Sequence, residues 1–170
     1  MSKQPQNRRR RRLLQAALLL GLLPVAGVAE VQAYAVIWGE RQLGTPRLDD
    51  AARDTSMLLT LDNAPLGIKN GTFEAVARAR GGRVDYLGQN RGSETRDIAM
   101  VREAGAVTSV SVTPQSEMTE MSEGGKAPRG VVFPPEVFAA LAKGRGCPEP
   151  MALFDGRRVV QLRPVSQVEE

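Results

Sequence analysis

The chain has no histidine in 170 residues, one cysteine, and few aromatic side chains: four Phe, two Tyr and one Trp. Without histidine, no side chain has an ordinary pKa near neutrality. The Ser–His and Cys–His nucleophile pairs, and the commonest nitrogen ligand of zinc and copper, are excluded with it. The lone cysteine, Cys147, cannot close a disulfide within the chain. Packing alone must then hold the fold, and the thiol is buried, modified or paired with another chain. The aromatics are too few to interleave with basic residues as a base-stacking surface.

The apparent basicity is also thin. The chain carries 23 basic and 19 acidic residues, a net charge of +4, with a pI near 9.7. Residues 1–33 hold Lys3 and Arg8 to Arg12 against Glu30 alone, so residues 34–170 have 17 basic and 18 acidic residues. A nearly neutral, mixed-sign surface provides no long-range field toward DNA or RNA, and no nucleic-acid partner is expected.

What the N-terminus does have is an ordered series: an arginine run, then Leu13 to Ala29 with Gln15 the only strongly polar residue, then small-x-small patterns at Val31-Gln32-Ala33 and Ala33-Tyr34-Ala35. A positive n-region, an apolar h-region and a small-residue cleavage site make the layout of an export signal. Seventeen residues of helix reach about 25 Å, short of a hydrocarbon core of about 30 Å, and Pro24 and Gly27 weaken the end of the run. A signal over 1–33, or 1–35, is expected, with an uncleaved inner-membrane anchor over 13–29 as the alternative. "RRRLLQ", Arg10 to Gln15, resembles the twin-arginine export signal without the serine or threonine that usually precedes the pair. That resemblance implies export of an already folded chain.

The remaining 137 residues from Tyr34 suit one domain with one core. Strands are expected over Tyr34–Gly39, Ser56–Asn63, Arg83–Gly88, Ala106–Pro114 and Val131–Phe133. Residues 40–55 read as loop, with at most two helical turns after Pro46. "TFEAVARARGG" predicts a helix capped by Thr72 and stopped by Gly81, and "SETRDIAMVREAG" a second, from Ser93 to Gly105. A third follows Pro135 in "PEVFAALAKG". "MALF", Asp155-Gly156 and "RRVVQL" predict a terminal hairpin, and the tail 164–170 is read as loose. The sum is an α/β class: one small domain over 34–163, a mixed sheet flanked by short helices.

"PMALFDGRRVVQL", Pro150 to Leu162, following a short helix, resembles the end of a thioredoxin-like domain. The resemblance places Pro150 at the family's cis-proline position and Gly156 in its hairpin turn. The redox cysteines are missing, since "DNAP", Asp62 to Pro65, follows the early strand where the family carries its Cys-x-x-Cys pair. A thioredoxin-like fold without redox chemistry is what it implies.

Four groups remain as candidate sites. Met118 and Met121 in "SEMTEMSE" have a Met-x-x-Met spacing suited to Cu(I). The same methionines, with Lys126 and Arg129 in a long loop over 115–130, offer an adaptable protein-interaction surface. Asp85, Asn90, Arg91, Ser93 and Arg96 gather around a strand end and the start of an expected helix, where α/β sheets bind ligands. Cys147, beside Arg145, is a possible reactive thiol, and Asp49, Asp50 and Asp54 are the densest carboxylates. With no histidine base, cysteine pair or cofactor loop, no cofactor is expected. The chain reads as an exported, non-enzymatic accessory or interaction protein of the bacterial envelope, of the kind found in secretion, pilus or conjugation assemblies. Its partner would be an envelope protein, with membrane contact only if the anchor is retained. A periplasmic enzyme using Cys147 or carboxylates, and a methionine-based copper binder, are the alternatives.

Overall fold

The computed structural model describes residues 31–51, 53–64, 69–144 and 148–164. Residues 1–30 of the expected signal, Pro65, Cys147 and the tail from 165 lie outside the described residues. No helix among the described residues is long and apolar enough to cross a membrane.

The expected α/β class is overturned: the described chain is an antiparallel sheet of eight strands with one helix and a separate hairpin. Six strands run as a meander, β3 (Arg41–Asp50), β4 (Asp54–Leu61), β5 (Gly71–Arg80), β6 (Arg83–Arg91), β7 (Arg96–Glu103) and β8 (Ala106–Thr113). Two short segments, β1 (Gln32–Ala33) and β2 (Val36–Trp38), pair in turn with the outer side of β3. The helix α1 spans Pro134–Lys143, and β9 (Met151–Phe154) pairs with β10 (Val159–Leu162).

Both expected helices before residue 106 are strands, β5 and β7, and the expected loop over 40–55 contains β3. In "TFEAVARAR" the alanines satisfy either period. Phe73, Ala75, Ala77 and Ala79 fall on one face at period 2, as surely as Phe73 and Val76 share a helical face. The glycines decide between them. Gly81 and Gly82 both have positive φ (56° and 83°), as do Ala104 and Gly105 (46° and 80°), and Arg80 pairs with Arg83 and Glu103 with Ala106. These are two-residue hairpin turns of the I′ kind, not helix stops.

Pro46 sits inside β3 without breaking it, for a local reason. Its carbonyl accepts from the Tyr34 N–H at 2.9 Å, so its donorless nitrogen faces the same side, where the β1–β2 edge is already interrupted at Tyr34-Ala35. The ladder to β4, where Pro46 faces Leu59, loses nothing.

Register fixes which side chains face inward. Leu48, Met57, Ala75, Ala77, Tyr86, Met100 and Ile98 line one face across the meander and are buried. That inner face is covered in two parts. The helix α1 lies against β3, β4 and β5, at the end of the sheet marked by Asp50 and Ala79. There Lys143 pairs with Asp50, whose carboxyl also accepts from the Thr55 hydroxyl at 2.8 Å. The lysine partnership holds the Asp50 pKa below its ordinary value, against the opposing effect of burial.

The N-terminus of α1 is fastened by Arg102 of β7. Its two terminal nitrogens donate to the two carboxylate oxygens of Glu136 at 2.9 and 2.6 Å, and one also donates to the Val131 carbonyl at 2.7 Å. Glu136 in turn accepts from the Phe133 N–H at 2.7 Å. The guanidinium stands 5.1 Å from the centre of the Phe133 ring, which packs 5.2 Å from that of Tyr86. Burial, with a smaller contribution from the Asp155 charge, raises the Tyr86 pKa well above its ordinary value, so this tyrosine is a neutral core residue.

The β9–β10 hairpin covers the second part. Its turn lies one residue beyond the expected Asp155-Gly156 position: Phe154 pairs with Val159, and the Asp155 N–H donates to the Arg158 carbonyl at 3.3 Å. Gly156, at φ 90°, presses against Ile98 and Met100 so closely that an added Cβ would lie 2.7 Å from Ile98 Cγ2. The peptide bond before Pro150 is trans, and the cis bond among the described residues precedes Pro114.

Candidate functional site

With α1 over one end of the inner face and the hairpin tip over β7, the described residues leave the opposite end of β4, β5 and β6 open. A pocket of about 650 Å³ occupies it, within the range typical of small-molecule sites. Its apolar floor is Leu59 and Leu61 from β4 and Phe73 from β5. Asn90 at the end of β6 and Ser93 and Glu94 in the following turn form one wall. Lys69, Asn70, Gly71 and Thr72 also line the pocket, Asn70 and Gly71 packing beside Gly92, and Arg158 reaches over from the hairpin.

The chemistry of this pocket is graded. Leu59 pairs with Phe73, Phe73 with Asn90, and Asn90 with Arg96, so one row across four strands passes from aliphatic to aromatic to amide to guanidinium. The alternation of a strand puts all four on the same face. Arg96 is 14% exposed; it pairs with Glu117 at 2.5 Å and with Glu94 at 3.3 Å. Its Nε is buried with no hydrogen-bond partner among the described residues. Arg158 is 78% exposed, its Nε donating to Asp155 at 3.1 Å.

The five residues expected to form a ligand pocket therefore divide. Asn90 and Ser93 line it, and Arg96, the cross-strand partner of Asn90, lies behind the lining. Asp85 and Arg91 stand on the other face of β6, where Asp85 pairs with Arg83 at 2.7 Å and Arg91 with Asp97 at 2.5 Å. The Arg83 guanidinium, above all, lowers the Asp85 pKa. The helix expected to begin at Ser93 is absent, so no row of free helical N–H groups is offered to an anion. Leu59, Leu61, Phe73, Lys69, Glu94 and Arg158 are not among the residues that the sequence singles out. The alternation through "LLTL" and "TFEA", read at period 2, would have placed the first three on one face.

The Met-rich segment is docked rather than loose. It contains two 3₁₀ turns, Gln115–Glu117 and Glu120–Ser122. Ser122, 1% exposed, donates to the Gly156 carbonyl at 2.8 Å, and Thr119 to the Arg157 carbonyl at 2.6 Å. Arg157 returns a bond to the Glu117 carbonyl at 2.6 Å and pairs with its carboxylate at 3.2 Å. Met121 packs against the core while Met118 is 37% exposed, so the two thioethers are placed in different surroundings. Lys126 lies about as far as an ion pair reaches from Glu120 and Glu123, at 4.0 and 3.9 Å, and Arg129 donates to the Ala104 carbonyl at 2.6 Å. No group of three or more Asp, Glu, Cys or His that could hold a metal occurs among the described residues. Asp50 is engaged by Lys143, and Asp54 by Arg78 at 3.5 Å. Cys147 lies outside the described residues.

No family model matches this chain, and no curated protein or solved structure does either.

Proposed function

We propose that this protein is an exported, non-enzymatic binding domain of the bacterial envelope that holds a small ligand in the pocket at the open end of its inner face. The pocket itself carries the reading. It combines an apolar floor with convergent amide, hydroxyl and cationic groups, which is the make-up of a site that orients a molecule. No histidine stands ready as a base, and the acids of the site, Glu94 and Glu117, both face Arg96. Cleavage after Ala33 would remove from the sheet only β1, whose two residues are exposed.

A second reading is an envelope protein partner, favoured by β8. This strand ends the sheet and reads "AVTSVSVT", with neither charge nor proline, features that leave an edge receptive to another strand. The segment after it bonds to the start of that edge, Gly125 N–H to the Val107 carbonyl at 2.9 Å.

Native mass spectrometry of the protein expressed with its own N-terminus and recovered from the envelope fraction tests the main reading. A mass beginning at Tyr34 or Val36, with small-molecule adducts that disappear in Leu61→Arg, is expected. A full-length cytosolic species would contradict export. Absence of any adduct after screening a metabolite and lipid library would contradict the ligand reading and leave the β8 edge to crosslinking.

A further inference from the structure

We propose that the ligand is an anionic amphiphile, its apolar chain over Leu59, Leu61 and Phe73 and its charged head at the Asn90 end, under Arg158. This rests on the binding reading above and adds the chemical class. The cross-strand row is the first support. Leu59, Phe73, Asn90 and Arg96 are successive partners on one face, so a molecule lying across the strands meets hydrocarbon at one end and hydrogen-bond donors at the other.

Charge is the second support. Of the charged side chains that line the pocket, Lys69 and Arg158 stand against Glu94. Two cations thus line the pocket against one carboxylate. One monoanionic head group balances that excess, and a charge-assisted bond is the stronger kind available to it. A neutral amphiphile would cover the floor and leave the imbalance.

Binding of 11-(dansylamino)undecanoic acid and of its methyl ester to the full exported protein, followed by dansyl fluorescence, separates these terms because the two probes differ only in head charge. The acid is expected to bind at least about tenfold more tightly than the ester. Arg158→Gln, at an exposed position, is expected to weaken the acid much more than the ester, with thermal melting confirming that the variant folds. Equal affinity for acid and ester would overturn the anionic class while leaving a binding pocket in place. Failure of both probes would overturn the amphiphile, and the ligand screen would then decide the pocket separately. Capture by anionic phospholipid vesicles without binding of the free acid would also overturn it, assigning the cations to a membrane surface.

Discussion

Among single residues, Arg102 is the most consequential side chain described. It bonds both oxygens of Glu136 and the Val131 carbonyl and lies over Phe133, so it joins β7 to the helix and the ring at the centre of the core. The pair is mostly buried, 14% and 26% exposed. Removing one member leaves the other charge desolvated and unpaired, so Arg102→Ala is expected to cost about 3 kcal/mol in urea unfolding. Arg102→Lys is expected to recover only part, since an ammonium cannot make the two-pronged contact. A loss in Arg102→Ala below about 0.5 kcal/mol would place the pair with ordinary surface ion pairs instead. The tie is hidden in the sequence because Arg102 and Glu136 are 34 positions apart. Register and the helix axis, not local pattern, bring them together.

Among the elements, tight turns decide the architecture, and two glycines separate backbone strain from packing. Gly81 has φ 56° with open space around its added Cβ, whereas Gly156 has φ 90° with Ile98 and Met100 against it. Gly81→Ala should cost about 1 kcal/mol, for the left-handed backbone alone. Gly156→Ala should cost about 2–4 kcal/mol, because overpacking is added to that strain. Chemical denaturation of the two variants side by side checks the difference, and equal losses would mean that the hairpin tip is not pressed into the sheet.

The same turns explain what the sequence reveals. The strands at 54–61, 83–91 and 106–113, the helix after Phe133 and the terminal hairpin are legible, because alternation and a proline-led helix start each point one way, though the hairpin turn falls one residue beyond "DG". β5 and β7 are not, because alanine-rich stretches fit both periods and "RGG" and "EAG" serve equally as helix stops and hairpin turns. Half of the candidate pocket is concealed for the same reason. A helix beginning at Ser93 would group Asp85, Asn90, Arg91 and Arg96, whereas the strand alternation sends Asp85 and Arg91 to the opposite face from Asn90 and Arg96. Arg158 arrives from a hairpin 68 residues further along the chain than Asn90, and no local pattern connects them.

At the scale of the molecule, the inner face of the sheet is longer than the cover that the described residues give it. The helix α1 closes the end at Asp50 and Ala79, the hairpin tip closes the middle of β7, and the remaining end over β4 to β6 is the pocket. The placement of the pocket opposite α1 makes binding testable by position alone. The most direct measurement is amide chemical-shift mapping of the labelled protein as dodecanoate is added. Saturable shifts concentrated at Thr72, Phe73, Asn90 and Ser93, with Arg83 and Glu103 at the far end unmoved, are the expected result. Shifts confined to β8, or none at saturating ligand, would contradict a binding site at the open end of the sheet.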